Sequence, residues 1–410
     1  MKNVQGTQNA LLAAHSVKNI KRPQLFILQD KEEATYFLND LETLTHTKVL
    51  FYPSSCRRPY QLEETDNANI LLRTEVLNSL HQKKQAIIVS YPEAIFEKVI
   101  SQDELKNFSL EVKPKDIISL DFMTECMEEY QFERVDFVVE PGQYSVRGGI
   151  VDVFSFSSEL PFRIEFFDEE IESIRTFDIN TQLSKETKTK VSIVPQFPIF
   201  SDNAKESILE FLPKNSKVWI KDTESTKEVL NNLFEKATKH FEGLKNNPIK
   251  HLEPDTLFLD GNSLLNQLQH FGLVEFGYRF YFQADQQFEF HSSPQPCFNK
   301  QFDLLIDKLE ESHNKGYRNF ILCSGKEQQN RFENIISDHE KEVHFTPLIL
   351  SVSQGFIDHQ LKICCFTDHQ IFERYHKFRL KTRFADKQAI SIKQLTSLKA
   401  GDYVTHIDHG

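Results

Sequence analysis

The sequence lacks several features that would each define a class of protein. Its six cysteines include no Cys-x-x-Cys pair and show no regular spacing, which argues against a disulfide framework. Cys323, Cys364 and Cys365 lie in apolar, strand-like runs, so we expect them to be buried and reduced. Because the sequence has neither a signal peptide nor an apolar run of about 18 residues, we expect a cytoplasmic location.

An excess of positive charge is also absent. The 410 residues include 48 basic and 60 acidic side chains, a formal net charge of -12. This balance argues against an autonomous, non-specific DNA-binding protein, whose affinity would come largely from neutralising phosphates. The composition, with 26% charged and 39% hydrophobic residues, is that of an ordinary globular protein.

A phosphate-binding loop of the form Gly-x-x-x-x-Gly-Lys-Ser/Thr does not occur. In such a loop backbone amides surround the phosphates and the lysine pairs with them. We therefore expect no nucleotide cofactor in this chain. We also assign no metal ligand, since His406 and His409 with Asp408 have no Cys or further His nearby. We assign no catalytic residue, since a nucleophile formed by His369 with Cys364 or Cys365 would need an exposed thiol.

Strands and amphipathic helices alternate through the first part of the chain, as in the strand Gln24–Leu28 and the following helix 31–44. This alternation predicts a parallel sheet covered by helices. From about residue 116 the pattern becomes antiparallel, with predicted strands at 134–140, 144–154, 161–168 and 171–177.

After residue 200 the strand and helix alternation resumes, and we expect this segment to complete the first sheet. Its predicted strands include Thr256–Leu259, and Phe280–Phe290 is predicted as its last extended part. A smaller α/β unit follows the turn-rich segment 292–296. Between residues 376 and 399 lie seven Lys or Arg residues and one acid, which is typical of a solvated linker.

The predicted fold class is α/β: a parallel-sheet domain with an inserted antiparallel α+β domain, then a smaller α/β domain and a basic linker. The predicted first sheet domain spans 1–115, the inserted domain spans 116–200, and the segment that completes the first sheet spans 201–298. The small α/β domain is predicted at 299–376, the linker at 377–399 and a short terminal segment at 400–410.

One predicted strand places an aromatic residue among charges. Successive side chains of a strand point to opposite faces, so Arg163, Glu165 and Phe167 share one face. A phenylalanine beside an arginine on an exposed face is typical of an interface hot spot. The alternative, that a neighbouring domain covers Phe167, stays open at this point.

The run Arg147-Gly-Gly-Ile-Val-Asp-Val-Phe and the run from Pro161 to Arg175 resemble a domain shared by two DNA-repair families. These are the excision-repair protein UvrB and the transcription-repair coupling factor. The segment Gly401–Gly410 resembles the opening of the coupling factor's RNA-polymerase-interacting domain, and segment 300–375 fits that family's additional domain. Both features favour an N-terminal portion of a coupling factor. The first domain then resembles a degenerate phosphate-loop fold, with Gly6–Ala10 where the loop would lie.

The resemblance implies a recognition module that recruits the excision-repair protein UvrA to stalled RNA polymerase, with Arg147, Arg163 and Phe167 as UvrA contacts. It implies a parent protein that is an ATP-dependent DNA translocase, with ATP and Mg²⁺ in its motor and RNA polymerase and double-stranded DNA as partners. This chain itself is expected to be a non-enzymatic monomer without a membrane partner. Lys377, Arg379, Lys381 and Arg383 are possible polymerase or DNA contacts.

Two other functions are weighed against this one. A UvrB-like excision-repair ATPase would need the absent phosphate loop. A transcription regulator built on the polymerase-binding barrel would need more of that barrel than the ten residues present.

Overall fold

The computed structural model describes residues 1–55, 67–81, 85–107, 109–195, 205–244, 252–337 and 343–374. The predicted linker 377–399, its four basic residues from Lys377 to Arg383, and segment 400–410 with His406 and His409 lie outside these ranges. Met1–Phe378 forms one compact unit, to which all of the described residues belong. Among those residues, no helix combines the length and the apolar character needed to cross a bilayer.

The first segment alternates helices and strands as predicted. Its elements are α1 (Gln8–Asn19), β1 (Gln24–Ile27), α2 (Lys31–Thr45), β2 (Leu50–Phe51), α3 (Asn67–His81), β3 (Ile87–Ser90), α4 (Pro92–Phe96), β4 (Val99–Ile100), α5 (Gln102–Asn107) and β5 (Leu110–Val112). All four residues of β1 are buried, as expected for the centre of a sheet covered on both faces.

The second segment is an antiparallel domain. Its elements are α6 (Leu120–Glu129), β6 (Glu133–Arg134), β7 (Gln143–Arg147), β8 (Ile150–Val153), β9 (Phe162–Phe167), β10 (Glu170–Phe177), β11 (Ser184–Thr187) and β12 (Val191–Ile193). Six strands form one sheet in the order β11-β10-β9-β8-β7-β6, which is antiparallel except for the short parallel pair of β6 and β7 and is called the antiparallel sheet. Met123 and Met127 of α6 pack against its inner face, with Ile164, Phe166 and Ile174.

The third segment returns to the first sheet. It contains β13 (Lys205–Glu206), α7 (Ile208–Phe211), β14 (Lys217–Lys221), α8 (Thr223–Leu244), α9 (Pro254–Leu257), α10 (Gly261–Leu268) and β15 (Gly272–Phe276). Strands β14 and β15 join β1, β2 and β3 in a parallel sheet of order β15-β14-β1-β3-β2. The antiparallel domain is therefore an insertion between β3 and β14.

The fourth segment forms a separate mixed sheet. It contains β16 (Ser292–Pro294), α11 (Phe302–Asn314), β17 (Arg318–Cys323), α12 (Lys326–Ser337), β18 (Thr346–Ile349), β19 (Phe356–Asp358), β20 (Ile363–Thr367) and α13 (Asp368–Ile371). Its strand order is β16-β19-β20-β17-β18. The predicted α/β fold class is confirmed for the described residues, whereas the predicted domain boundaries stay predictions.

The cysteines of the fourth segment behave largely as expected. Cys323 and Cys364 are fully buried, and Cys365 is half-buried. Burial raises the pKa of Cys323 to about 11 and that of Cys365 to about 12. These thiols therefore stay protonated near neutral pH and lack the thiolate that a nucleophile needs.

Two predicted strands in the antiparallel domain were wrong. Segment 144–154 is a hairpin of β7 and β8, because Gly148 adopts a φ of +59° and reverses the chain. Within the predicted strand 134–140, only the first residue lies in a strand, β6.

Two further predictions were wrong in the third segment. Residues 254–257 form a helical turn, which begins with Pro254 at a position where a missing N–H costs nothing. The last strand of the parallel sheet is β15, not Phe280–Phe290. After β15 the chain turns at Gly277, where the carboxylate of Asp222 accepts the N–H groups of Tyr278 and Arg279.

The fourth segment packs onto the N-terminus of α1. The backbone carbonyl of Gln354 accepts the N–H of Thr7 at 3.2 Å, and the hydroxyl of Thr7 accepts the N–H of Gln354 at 3.1 Å. Gly6 makes this approach possible: its φ is +52°, and a Cβ there would lie 2.6 Å from the carbonyl oxygen of Gly355. A backbone oxygen thus occupies the helix end that binds phosphate in phosphate-loop proteins.

Asp40 of α2 completes this contact. Its side chain is buried and accepts hydrogen bonds from the Thr7 hydroxyl, the Ser353 N–H and the Ser353 hydroxyl. Burial nevertheless raises the pKa of Asp40 to about 6, because the desolvation of the charged form outweighs the three hydrogen bonds.

We predict that Asp40 makes the folded chain less stable as the pH rises. The folded state binds the proton of the Asp40 carboxyl more tightly than the unfolded state does. The contribution of Asp40 to the free energy of unfolding therefore falls between about pH 4 and pH 6 and is constant above pH 6. A pKa shift of roughly two units corresponds to about 3 kcal/mol. Unfolding of the wild type and of Asp40→Asn, followed across this range, should show a stability difference that declines with pH. The exposed control Asp103→Asn should leave the wild-type profile unchanged, and a pH-independent difference for Asp40→Asn would contradict the assignment.

Candidate functional site

The outer face of the antiparallel sheet carries the residues predicted to bind a partner. Along β9, Phe162, Ile164 and Phe166 are buried, whereas Arg163 and Glu165 are half-buried and Phe167 is exposed. The predicted alternation of the two faces is therefore confirmed. The inner face forms the core with α6, which leaves the outer face to solvent and to its own charged side chains.

A buried carboxylate organises this face. Asp152 of β8 is fully buried, and it pairs directly with Arg163 of β9 in the sheet register. The Nε of Arg163 donates to Oδ1 of Asp152 at 2.7 Å, and a terminal nitrogen donates to Oδ2 at 2.8 Å. Arg147 donates to the same Oδ2. Two guanidinium groups thus compensate one carboxylate that would be costly to bury alone.

Arg163 is largely covered. Its side chain is only 16% exposed, its guanidinium lies 4.6 Å from the centre of the Phe177 ring, and it also donates to the backbone carbonyl of Gln182. The hydrogen bonds to Asp152 raise the pKa of Arg163 above its ordinary value. This side chain holds the face together and offers a partner little surface.

Arg147 is the more accessible arginine. Its side chain is 40% exposed at the end of β7, and its guanidinium lies 5.2 Å from the centre of the exposed Phe137 ring. The following hairpin needs Gly149, since a Cβ there would lie 2.9 Å from the carbonyl oxygen of Phe166. The tight turn therefore places Arg147 beside β9 and within reach of Asp152.

Phe167 projects from the end of β9. It is 76% exposed, and it stands opposite Glu170 across a turn in which Asp168 adopts a φ of +58°. No other part of the described chain covers its ring. The interpretation of Phe167 as a covered core residue is thus disfavoured within the described ranges.

The structure brings the three predicted residues onto one face, but it also adds residues that were not predicted. Asp152 links the two arginines, and Phe137 packs against one of them. A signal for Asp152 was present in the sequence, since a lone acid within the apolar run Ile150–Val153 must be paired if it is buried. Phe137 gave no comparable signal.

The region around Gly6–Ala10, where the resemblance places a phosphate loop, is acidic. A cavity of about 400 Å³ beside Gly6 and Thr7 is lined by the carboxylates of Asp30, Glu32, Glu33 and Asp40. Its lysine, Lys221, pairs with Glu33. Carboxylates repel a triphosphate, so these residues do not suit a nucleotide. Within the described ranges, no group of three or more His, Cys, Asp or Glu residues is arranged to hold a metal ion.

Comparison with known proteins relates the antiparallel domain to a protein family. Residues 110–197 match the UvrB interaction domain, a range that contains α6 and the whole antiparallel sheet. The matched range thus coincides with the inserted domain and includes Arg147, Asp152, Arg163 and Phe167.

The chain as a whole is similar to transcription-repair-coupling factors. The relative from Bacillus subtilis (strain 168) is 23% identical over 99% of this chain, and the relative from Haemophilus influenzae is 22% identical over 100% of it. The relative from Escherichia coli (strain K12) is 26% identical over 48% of the chain. The chain spans 41% of the length of the first two relatives. The predicted resemblance is confirmed: the chain is similar to transcription-repair-coupling factors over nearly its whole length, and its residues 110–197 match the UvrB interaction domain.

Proposed function

We propose that this chain is the recognition module of a coupling factor and that its outer sheet face binds UvrA, which it recruits to stalled RNA polymerase. The observation that carries the proposal is Phe167, an aromatic ring that is 76% exposed and lies on the same sheet face as Arg147 and Arg163. Such a combination of exposed aromatic area and guanidinium groups is typical of the residues that dominate binding energies. Its position inside a UvrB interaction domain supports the choice of partner.

Within this surface the three residues have different roles. Phe167 and Arg147 contact the partner, because they are the more exposed of the three. Arg163 acts mainly through Asp152, since most of its surface is already covered by the chain itself. The expectation from the sequence that all three are contacts is thereby narrowed to two contacts and one positioning residue.

We further propose that this chain is not an enzyme and that it holds no ATP, Mg²⁺ or other cofactor. The missing loop lysine, the acidic cavity and the Gln354 carbonyl at the end of α1 all support this. The same observations disfavour a UvrB-like ATPase. In the parent protein, the activity we propose is ATP-dependent DNA translocation in the cytoplasm, with RNA polymerase and double-stranded DNA as partners and Lys377, Arg379, Lys381 and Arg383 as possible contacts.

We predict that Phe167→Ala weakens UvrA binding at least about thirtyfold, because truncating a hot spot costs roughly 2 kcal/mol or more. Its melting temperature should stay unchanged, since the ring makes little contact with the chain. The matched control is Phe122→Ala, which removes an exposed ring from α6 on the other side of the same domain. Calorimetric titration with purified UvrA measures the affinities. Equal affinity of Phe167→Ala and wild type would reject the proposed surface.

Arg163→Ala should behave differently from Phe167→Ala. It leaves Asp152 buried with one arginine instead of two, so we expect a loss of about 3 kcal/mol in the free energy of unfolding. Thermal unfolding should therefore show a melting temperature several degrees lower, together with weaker binding. An unchanged melting temperature would show that Arg163 is a contact after all.

We predict that titration of the chain with Mg-ATP gives no heat of specific binding. The physical reason is the acidic lining beside α1 together with the absence of the phosphate-loop lysine. A phosphate-loop ATPase titrated under the same conditions serves as the positive control. A micromolar ATP site in this chain would overturn the proposal that its first domain is a scaffold.

A further inference from the structure

A second exposed apolar residue stands in line with Phe167. Ile117 is 79% exposed and forms a bridge with Glu170, which in turn pairs with Phe167 of β9. Directly paired residues of antiparallel strands point to the same face of a sheet. Ile117, Glu170 and Phe167 therefore form a row on the outer face, with the two apolar side chains about 10 Å apart.

The backbone that carries Ile117 is held in place. The N–H of Lys115 donates to the carbonyl of Ile171 at 2.8 Å, and the N–H of Ile118 donates to the carbonyl of Glu169 at 2.8 Å. The carboxylate of Asp116 also accepts the N–H of Lys113, which closes the preceding turn. Because Ile117 is both β-branched and fixed by its neighbours, covering it costs little conformational entropy.

Glu170 differs from the other acids of this face. Asp152 and Glu165 are both paired with arginines. By contrast, the exposed carboxylate of Glu170 has no hydrogen-bond or ion-pair partner in the part of the chain that the structure describes. It stands between two large apolar side chains, where an incoming partner would remove much of its water. Such a carboxylate favours a partner that brings a positive charge to the same place.

We propose that Ile117 is a second apolar anchor for the protein partner of this face and that Glu170 selects a lysine or arginine of that partner. The occupant is the UvrA surface already proposed for Phe167, so this inference rests on the proposed function. It adds a requirement on that surface: a basic side chain flanked by two apolar depressions about 10 Å apart. The face thereby gains a contact strip distinct from the Arg147 and Arg163 pair.

Binding of purified UvrA by variants of the whole chain tests this proposal. Ile117→Ala should weaken binding about five- to tenfold, the effect expected of a residue near the hot-spot threshold. Glu170→Lys should weaken it about a hundredfold, because it sets two like charges against each other, and the loss should shrink at high salt. Both variants should keep the wild-type melting temperature, since Ile117 and Glu170 are exposed and are held by backbone contacts.

Two matched controls accompany these variants. Leu361→Ala shortens an aliphatic side chain that is 66% exposed in the fourth segment. Glu125→Lys makes the same change in net charge on α6, behind the inner face of the same sheet. Both controls should bind UvrA within about twofold of the wild type, as expected of substitutions outside an interface.

Phe167→Ala, measured in parallel, separates the two proposals. If Phe167→Ala weakens binding while Ile117→Ala and Glu170→Lys match their controls, the additional strip is wrong and the proposed function stands. If only one of the two variants loses affinity, the paired arrangement of anchor and carboxylate is wrong. If none of the three variants differs from its control, the outer face is not the binding surface at all.

Discussion

The buried carboxylate of Asp152 is the constraint on which the outer sheet face depends. A charge that is removed from water must be compensated, and here the compensation comes from arginines on the two strands that flank β8. Both guanidinium groups are therefore held in one place before any partner arrives. The fixed arrangement of the side chains on this face is a consequence of solvation, because an uncompensated buried charge in the sheet would be costly.

In the parallel-sheet domain, too, groups of the chain itself satisfy polar groups that could otherwise bind a ligand. The N-terminus of α1 offers free N–H groups, as every helix does, and a phosphate could satisfy them. In this chain the carbonyl of Gln354 accepts the N–H of Thr7, and the carboxylate of Asp40 accepts the hydroxyl of Thr7. Another part of the same chain thus occupies the N-terminal end of α1.

Local rules were enough to predict much of this structure. Alternation along β9 predicted which side chains share a face, and the strand and helix pattern predicted that the chain returns to its first sheet after the insertion. The wrong elements arose where single residues decide the path, as Gly148 does in the hairpin and Pro254 in a helical turn. Contacts between distant residues could not be predicted, because Asp40 and Ser353 lie 313 positions apart and no periodicity links them.

The ends of the inserted domain lie side by side. Strand β5 pairs with β12, so that Leu110 stands opposite Ile193 and the chain leaves the domain about one strand spacing from where it enters. A domain whose two ends lie side by side can interrupt its host domain without forcing the host's strands apart. Insertion of a domain into another fold is tolerated when the two ends of the inserted domain lie close together. The geometry of this two-stranded stem thus gives a physical reason why the antiparallel domain can interrupt the parallel sheet between β3 and β14 without disrupting it.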